Sequence, residues 1–168
     1  MADMAHTNIF HAHGLLMSPV GYADIITSSS HKALGSTRSG FIIYKKDLHK
    51  AMCTSTIPTS FGGPLNHLTY AKLIGFKEAM TKESKKYSKQ VFKNAKIMVE
   101  TFKKNGIPVI TGDTENHLCT IDLTDFNING KELSQLLHEK CNLTTNANTI
   151  PTDTSFLKPN GVRFGTCA

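Results

Sequence analysis

The stretch "TSSSHKALGSTRSG", Thr27 to Gly40, decides how this chain is read. It follows the apolar run "ADII" and sets His31 and Lys32 among small hydroxyl residues and glycines. On either side, "YADIITS" (22–28) and "GFIIYKK" (40–46) are short, β-branched and bounded by turn formers. That pattern predicts buried strands of a parallel or mixed sheet.

A lysine just past a strand has an ordinary reading, a loop side chain with its ammonium in water. The functional reading is a Schiff-base lysine, whose amine must be partly desolvated to act as a nucleophile near neutral pH. A carbonyl cofactor such as pyridoxal phosphate needs that lysine, room for a flat ring, donors for a phosphate and an acid to hold a ring nitrogen protonated. Ser28, Ser29 and Ser30 offer hydroxyls, Asp3 in "DMAH" offers a carboxylate, and the glycines of "FGGP" offer backbone N–H groups. Singly, each of these residues is as well explained by a turn.

Outward from this region, "DLHKAMCT" (47–54) predicts a short helix with Asp47 near its start, and "TIPTSFGGPLNH" (56–67) predicts a loop. From 66 to 104 there is no proline, and Tyr87, Val91, Ala95, Met98 and Phe102 recur at helical spacing. One long amphipathic helix, or two with a break near Lys82 to Ser84, follows from that. The lysines at 82, 85, 86, 89, 93 and 96 mostly face away from the apolar stripe, so they predict a solvated helix face. "NGIPVIT" (105–111) and "HLCTIDL" (117–123) predict strands, 130–140 a helix, and "LTTNA" (143–147) and "VRFG" (162–165) two further strands. The order suggests an α/β lobe joined by the long helix to a small α+β lobe.

The chain has 168 residues, 39% of them hydrophobic, which suffices for one domain or two lobes. Nineteen Lys and Arg against 13 Asp and Glu give a net charge of +6, yet aromatics are only 8% and no base-stacking motif accompanies the lysines. The basic balance therefore suits anionic small molecules or solubility rather than nucleic acid. Four cysteines, at 53, 119, 141 and 167, form no Cys-x-x-Cys pair, so neither a zinc knuckle nor a disulfide scaffold is expected. No apolar run approaches the roughly 20 residues that span a bilayer. A soluble, intracellular protein is the expectation. Asp3 and His6 look like site residues yet stand at a chain end, and "NGVRFGTCA" stops directly after an apolar stretch. The expectation is an internal piece of a longer protein.

The order of "DMAH", "SSSHK", "GGPLNH", "EAM", "NAKIMVETF", "DTENHL", "NGKEL", "NTIPTD" and "GVRFGT" resembles the serine (glycine) hydroxymethyltransferase family. These are fold-type I pyridoxal phosphate enzymes, and the resemblance runs through nearly the whole chain. It implies part of the large α/β domain with a mostly parallel sheet over 1–82, and part of the small α+β C-terminal domain over 83–168, both incomplete. It implies Lys32 as the lysine that holds pyridoxal 5'-phosphate covalently, with His31 orienting groups beside it. Asp3 would pair with the pyridine nitrogen, His6 would bond near the ring hydroxyl, and Ser29 would be a hydroxyl close to the cofactor. Gly62 and Gly63 would supply phosphate-binding backbone, reaching to a neighbouring subunit's site. Arg163 would fork onto the substrate carboxylate, Arg38, the retained basic residue after "HK", would be a second substrate-binding residue, and Asn148 stands where the family contacts folate.

The implied reaction is the reversible interconversion of serine and glycine with tetrahydrofolate and 5,10-methylenetetrahydrofolate. The implied assembly is a homodimer or tetramer, in cytoplasm or mitochondrion, with no nucleic-acid or membrane partner. Residues that stack on the cofactor and a catalytic glutamate and tyrosine belong to family sequence ahead of Asp3, so these 168 residues alone should be inactive. The chain also departs from the family pattern. Gly35 replaces a basic residue, "TSFGGP" stands for "GGQGGP", and "NIFHAHG" brings His11 and His13. Other readings stay open: an impaired homologue acting as dimer partner or regulator, a related aldolase or transaldolase, or a metal site from Asp3, His6, His11 and His13.

Overall fold

The structure is a computed structural model that describes residues 1–167. The chain divides into two compact units, Met1–Ser88 and Lys89 onward.

In the first unit, β1 (Ala2–Asp3), β2 (Ile25–Ser29) and β3 (Gly40–Tyr44) form a sheet in the order β1-β2-β3. β1 runs parallel to β2, with Ala2 opposite Ile26 and Asp3 opposite Thr27. β3 runs antiparallel to β2, from Ile25 opposite Tyr44 to Ser29 opposite Gly40. The sheet of this chain is therefore mixed, not mostly parallel. The short 30–39 connection explains it, because ten residues that fold back on themselves return the chain antiparallel, whereas a parallel return needs a longer crossover.

α1 (Asn8–Ala12) follows β1, and its Ile9 and Phe10 are buried with Met4 and Ile26. β2 is well covered, but β3 leaves Ile42 and Ile43 exposed, against the expectation of a buried strand. A 3-10 turn at Lys46–Leu48 leads into α2 (His49–Thr56), so Asp47 stands in the lead-in turn. α3 (Asn66–Ala79) and α4 (Lys82–Lys104) are separate helices, with the break at Met80 and Thr81, next to the expected place.

The second unit holds a sheet of order β4-β6-β5, made by β4 (Leu118–Asp122), β5 (Asn146–Asn148) and β6 (Gly161–Gly165), all antiparallel neighbours. Side chains alternate across such a sheet. Val162, Ile121 and Cys119 face the core, where Phe102, Ile107, Val109, Leu133 and Phe164 surround Ile121, Leu123 and Val162. The apolar stripe of α4 is buried here at Val91, Ala95 and Val99, while all six lysines of its outer face are exposed. They form a solvated face.

"NGIPVIT" makes only a bridge, Val109 opposite Ile121, because Pro108 has no N–H to extend a ladder. "LTTNA" pairs only from Asn146 onward, since α5 (Gly130–Cys141) is still unwinding through its left-handed cap at Asn142 (φ 52°). The start of α5 is fixed by a capping box in which Asn129 accepts from Lys131 and Glu132 N–H groups and Glu132 accepts from Asn129 N–H.

Asp153 closes the connection from β5 to β6. Its Oδ2 accepts from the backbone N–H of Ile150 (2.9 Å) and of Asn160 (3.0 Å), and its Oδ1 from Asn160 Nδ2 (2.7 Å). The Asn160 N–H holds the carboxyl below its usual range, and the Ile150 N–H and Asn160 side chain add to this against some desolvation. A lowered folded-state pKa contributes stability that is present above the ordinary carboxylate value and is lost as pH falls through the folded one. Thermal stability is expected to fall from about pH 4 downward, and Asp153→Asn should show a lower Tm at pH 7 with a flatter acid limb. An unchanged acid limb would assign the loss to other carboxylates.

Candidate functional site

The 30–39 segment that carries Lys32 is laced by its own hydroxyls. Ser30, fully buried, donates from Oγ to the carbonyls of Thr37 (2.7 Å) and Ser39 (3.0 Å), and its N–H also reaches Ser39 O (2.9 Å). Ser36 N–H donates back to Ser30 O (2.8 Å), and Gly35 N–H closes a turn onto Lys32 O (2.9 Å). Gly35 sits at φ 72°, a conformation open to glycine, which accounts for glycine at that place. The segment is anchored on α3, where Ser36 Oγ donates to Ala71 O (3.2 Å) and packs against Gly75 so closely that a Cβ there would overlap its side chain.

The three serines thus serve the loop before any ligand. Ser28 Oγ accepts from Asn8 Nδ2 (2.9 Å), which also bonds Ser29 O (2.7 Å), and Ser29 Oγ donates to Ala5 O (2.9 Å). This is what the sequence reading missed. Small hydroxyl residues beside a lysine look like ligand donors, and here they position the lysine.

β1 and β2 are parallel and end side by side, so Asp3, His6, Ser29, His31 and Lys32 all lie at or just beyond the carboxyl ends of two adjacent strands. In open α/β sheets that edge is where ligands bind. Asp3 commits Oδ1 to the Ala5 N–H (3.0 Å) and the Thr27 hydroxyl (3.2 Å), while among the described residues Oδ2 carries no bond. His31 Nδ1 is buried without a partner. Lys32 is exposed, and among the described residues the ion pairs are Lys45 with Asp24 and Lys96 with Asp113, so its ammonium is uncommitted. Gly62 and Gly63 lie in the exposed loop between α2 and α3 with open space around them, and Arg38 is exposed in the laced segment.

In the second unit, Arg163 of β6 stands opposite Thr120 and Asn146, and Gly161 stands opposite Asn148. Arg163 and Asn148 therefore share the sheet face opposite the core. Arg163 lines a groove of about 570 Å³ with Thr114, Asn116 and Thr120 among its walls, and its guanidinium has no carboxylate partner among the described residues. Thr111, on the same wall, holds a left-handed backbone (φ 67°) with its Oγ1 donating to Asp113 O (2.9 Å). Asn148 Oδ1 is buried without a partner.

His11 and His13 have structural duties. His13 Nε2 donates to Ala79 O (2.8 Å), which leaves Nδ1 to accept from the buried Ser88 hydroxyl (2.8 Å). His11 bonds Met17 O through Nδ1 (2.8 Å) and Thr7 Oγ1 through Nε2 (3.0 Å). With both nitrogens of each ring engaged, the metal reading of the histidine run loses two of its ligands. Among the described residues no group of three or more His, Cys, Asp or Glu is placed to hold a metal ion. Among the described residues no helix is long and apolar enough to cross a membrane.

Ser30→Ala would leave the Thr37 and Ser39 carbonyls short of a donor, and a loss of about 1–3 kcal/mol is expected. Urea unfolding measures it. Loss within error would show that backbone bonds alone hold the segment.

A family model described as serine hydroxymethyltransferase matches residues 1–168. Among curated relatives, the serine hydroxymethyltransferase of Methanospirillum hungatei JF-1 is 46% identical over 169 residues, covering 100% of this chain and 41% of the relative. That of Buchnera aphidicola subsp. Acyrthosiphon pisum is 44% identical over 172 residues, and that of Coxiella burnetii 43% over 171 residues, each with the same 100% and 41% coverage. The chain thus spans about two fifths of the length of these relatives.

Proposed function

Because this chain belongs to the serine hydroxymethyltransferase family, we propose that the whole protein interconverts serine and glycine with tetrahydrofolate, using pyridoxal 5'-phosphate held at Lys32. The observation that carries the proposal is the set of uncommitted atoms at the expected places: the Lys32 ammonium, Asp3 Oδ2, His31 Nδ1, Asn148 Oδ1 and the Arg163 guanidinium. Buried polar atoms without partners are rare in folded proteins, so two of them among the expected contacts favour a ligand. The residues fit the cofactor.

When bound, the cofactor supplies an electrophilic carbonyl and a ring that accepts electrons from the substrate's α-carbon. Lys32 gives the amine that anchors it and must lose its proton to do so. Asp3 Oδ2 holds a proton on the ring nitrogen, and the Thr27 hydroxyl and Ala5 N–H fix the carboxylate's orientation through Oδ1. His31 offers Nδ1 beside Lys32, and His6 follows β1 on the same edge. Ser29 has its proton committed to Ala5 O and retains lone pairs for a donor. Gly62 and Gly63 bring unhindered N–H groups to phosphate oxygens, and Arg38, exposed in the laced segment, offers a charge to the substrate.

Arg163 receives the amino-acid carboxylate through its planar fork, and Asn148 Oδ1 accepts from a folate N–H. In this reading 1–82 belongs to the cofactor-binding domain and 83–168 to the small domain, and the remaining parts of the site come from the rest of the protein or a second subunit.

An impaired homologue serving as dimer partner has one observation in its favour. In "TSFGGP", Thr59 and Ser60 donate to Thr54 O (2.7 Å) and Ser55 O (2.8 Å), so the loop is tied to α2 with Phe61 exposed beside the glycines. Turnover separates the readings. The full-length protein with pyridoxal phosphate and tetrahydrofolate should convert serine to glycine and show a visible absorbance band that is lost in Lys32→Ala. Arg163→Lys keeps the charge but loses the fork, and kcat/KM for serine should fall at least about tenfold, mostly through KM. A Lys32-dependent band without turnover would select the impaired homologue. Turnover without folate would select the aldolase.

A further inference from the structure

Away from these residues, three reactive side chains meet at the start of α2. Tyr44 at the end of β3 places its hydroxyl 3.0 Å from His49 Nδ1, and the two rings stack at 6.1 Å between centroids with 24° between planes. One helical turn on, Cys53 Sγ lies 3.7 Å from both ring nitrogens of His49, within the longer reach of hydrogen bonds to sulfur. Cys53 and His49 are exposed, and Tyr44 is half-buried.

Desolvation, and then the Cys53 thiol beside it, push the Tyr44 hydroxyl above its ordinary pKa, so it keeps its proton. A protonated Tyr44 donates to Nδ1 and leaves the ring N–H on Nε2, while the sulfur lies equally near both ring nitrogens. The thiolate is the reactive form of a cysteine, and neighbouring hydrogen-bond donors and positive charge are what make cysteines reactive in general. Lys50 stands three residues before Cys53 on the same helical face, and the lead-in turn carries Lys46 beside Asp47.

Two of the other thiols lack this setting. Cys119 is buried, and burial pushes its pKa up to about 11. Cys141 is exposed at the carbonyl end of α5, where no hydrogen bond reaches its sulfur among the described residues.

We propose that Cys53 is a reactive thiol, activated by His49 and Tyr44, that undergoes thiol–disulfide exchange with small anionic disulfides. Its thiolate, having given its proton to water, attacks one sulfur of the disulfide. A new S–S bond joins Cys53 to that half, the original S–S bond breaks, and the other half departs with the electron pair and takes up a proton. Cys53 is oxidised to the mixed-disulfide level and the departing half is reduced to a thiol. His49 positions and stabilises the sulfur without entering the exchange.

The test uses the full-length protein with oxidised glutathione as the anionic disulfide and cystamine as the cationic one, followed by peptide mass spectrometry over time at pH 7. Cys53 is expected to form the mixed disulfide about tenfold faster than Cys141, with oxidised glutathione outpacing cystamine. His49→Gln should lower the Cys53 rate several-fold and leave Cys141 unchanged, and Tyr44→Phe should lower it less. The Cys53-to-Cys141 ratio in the unmodified protein needs no variant to fold. Equal rates at the two cysteines, or a Cys53 rate indifferent to His49→Gln in a folded variant, would overturn the proposal.

Discussion

Two pairs of residues in parallel register, Ala2 with Ile26 and Asp3 with Thr27, hold the first unit's candidate site residues together. Parallel strands end on the same side of a sheet, so this register brings the carboxyl end of β1 beside that of β2. The Met4 N–H to Thr27 O bond (2.8 Å) and the Ser29 hydroxyl to Ala5 O continue the contact past the strand ends. Each later feature of that edge depends on it. Asp3 is oriented by Thr27 across the pair, Ser30 begins the laced segment where β2 stops, and Lys32 follows within one turn.

The second unit reaches its arrangement by a different route. A strictly antiparallel sheet sorts its residues by alternation, sending Val162, Ile121 and Cys119 inward and Arg163, Thr120, Asn146 and Asn148 to the other face. Burying the inner set fixes the register, because a slip of one residue would carry Arg163 into the core. Gly161 tightens the fit further, since a Cβ there would stand 2.5 Å from Asn148 O and 2.6 Å from Ile150 Cγ2. The close approach that excludes a side chain at Gly161 also sets the position of Asn148.

Much of this was legible in the sequence. Helical spacing located α4 and its solvated lysines, alternation located β4, and the proline-free stretch with its break gave α3 and α4. Other features depend on partners far along the chain, which local pattern does not encode. The direction of β3 is set by how the 30–39 segment folds, and the exposure of Ile42 and Ile43 by what packs on the sheet. His13 entered only an alternative metal reading of the sequence, and its partners Ala79 and Ser88 lie 66 and 75 residues away. The proposed site residues Lys32, Asp3, Arg163 and Asn148 were reached through resemblance to a family rather than through periodicity. What the structure adds is the state of their atoms, with Asp3 Oδ2 and Asn148 Oδ1 uncommitted and the serine hydroxyls already engaged.

The central claim is that Lys32 holds a carbonyl cofactor at the carboxyl ends of β1 and β2. Borohydride reduction of the full-length protein incubated with pyridoxal phosphate, followed by peptide mapping, tests it most directly. The account predicts a stable pyridoxyl adduct at Lys32 in near-stoichiometric yield, abolished by Lys32→Ala and weakened by Asp3→Asn. Adducts spread over the surface lysines of α4, with Lys32 unmodified, would contradict it.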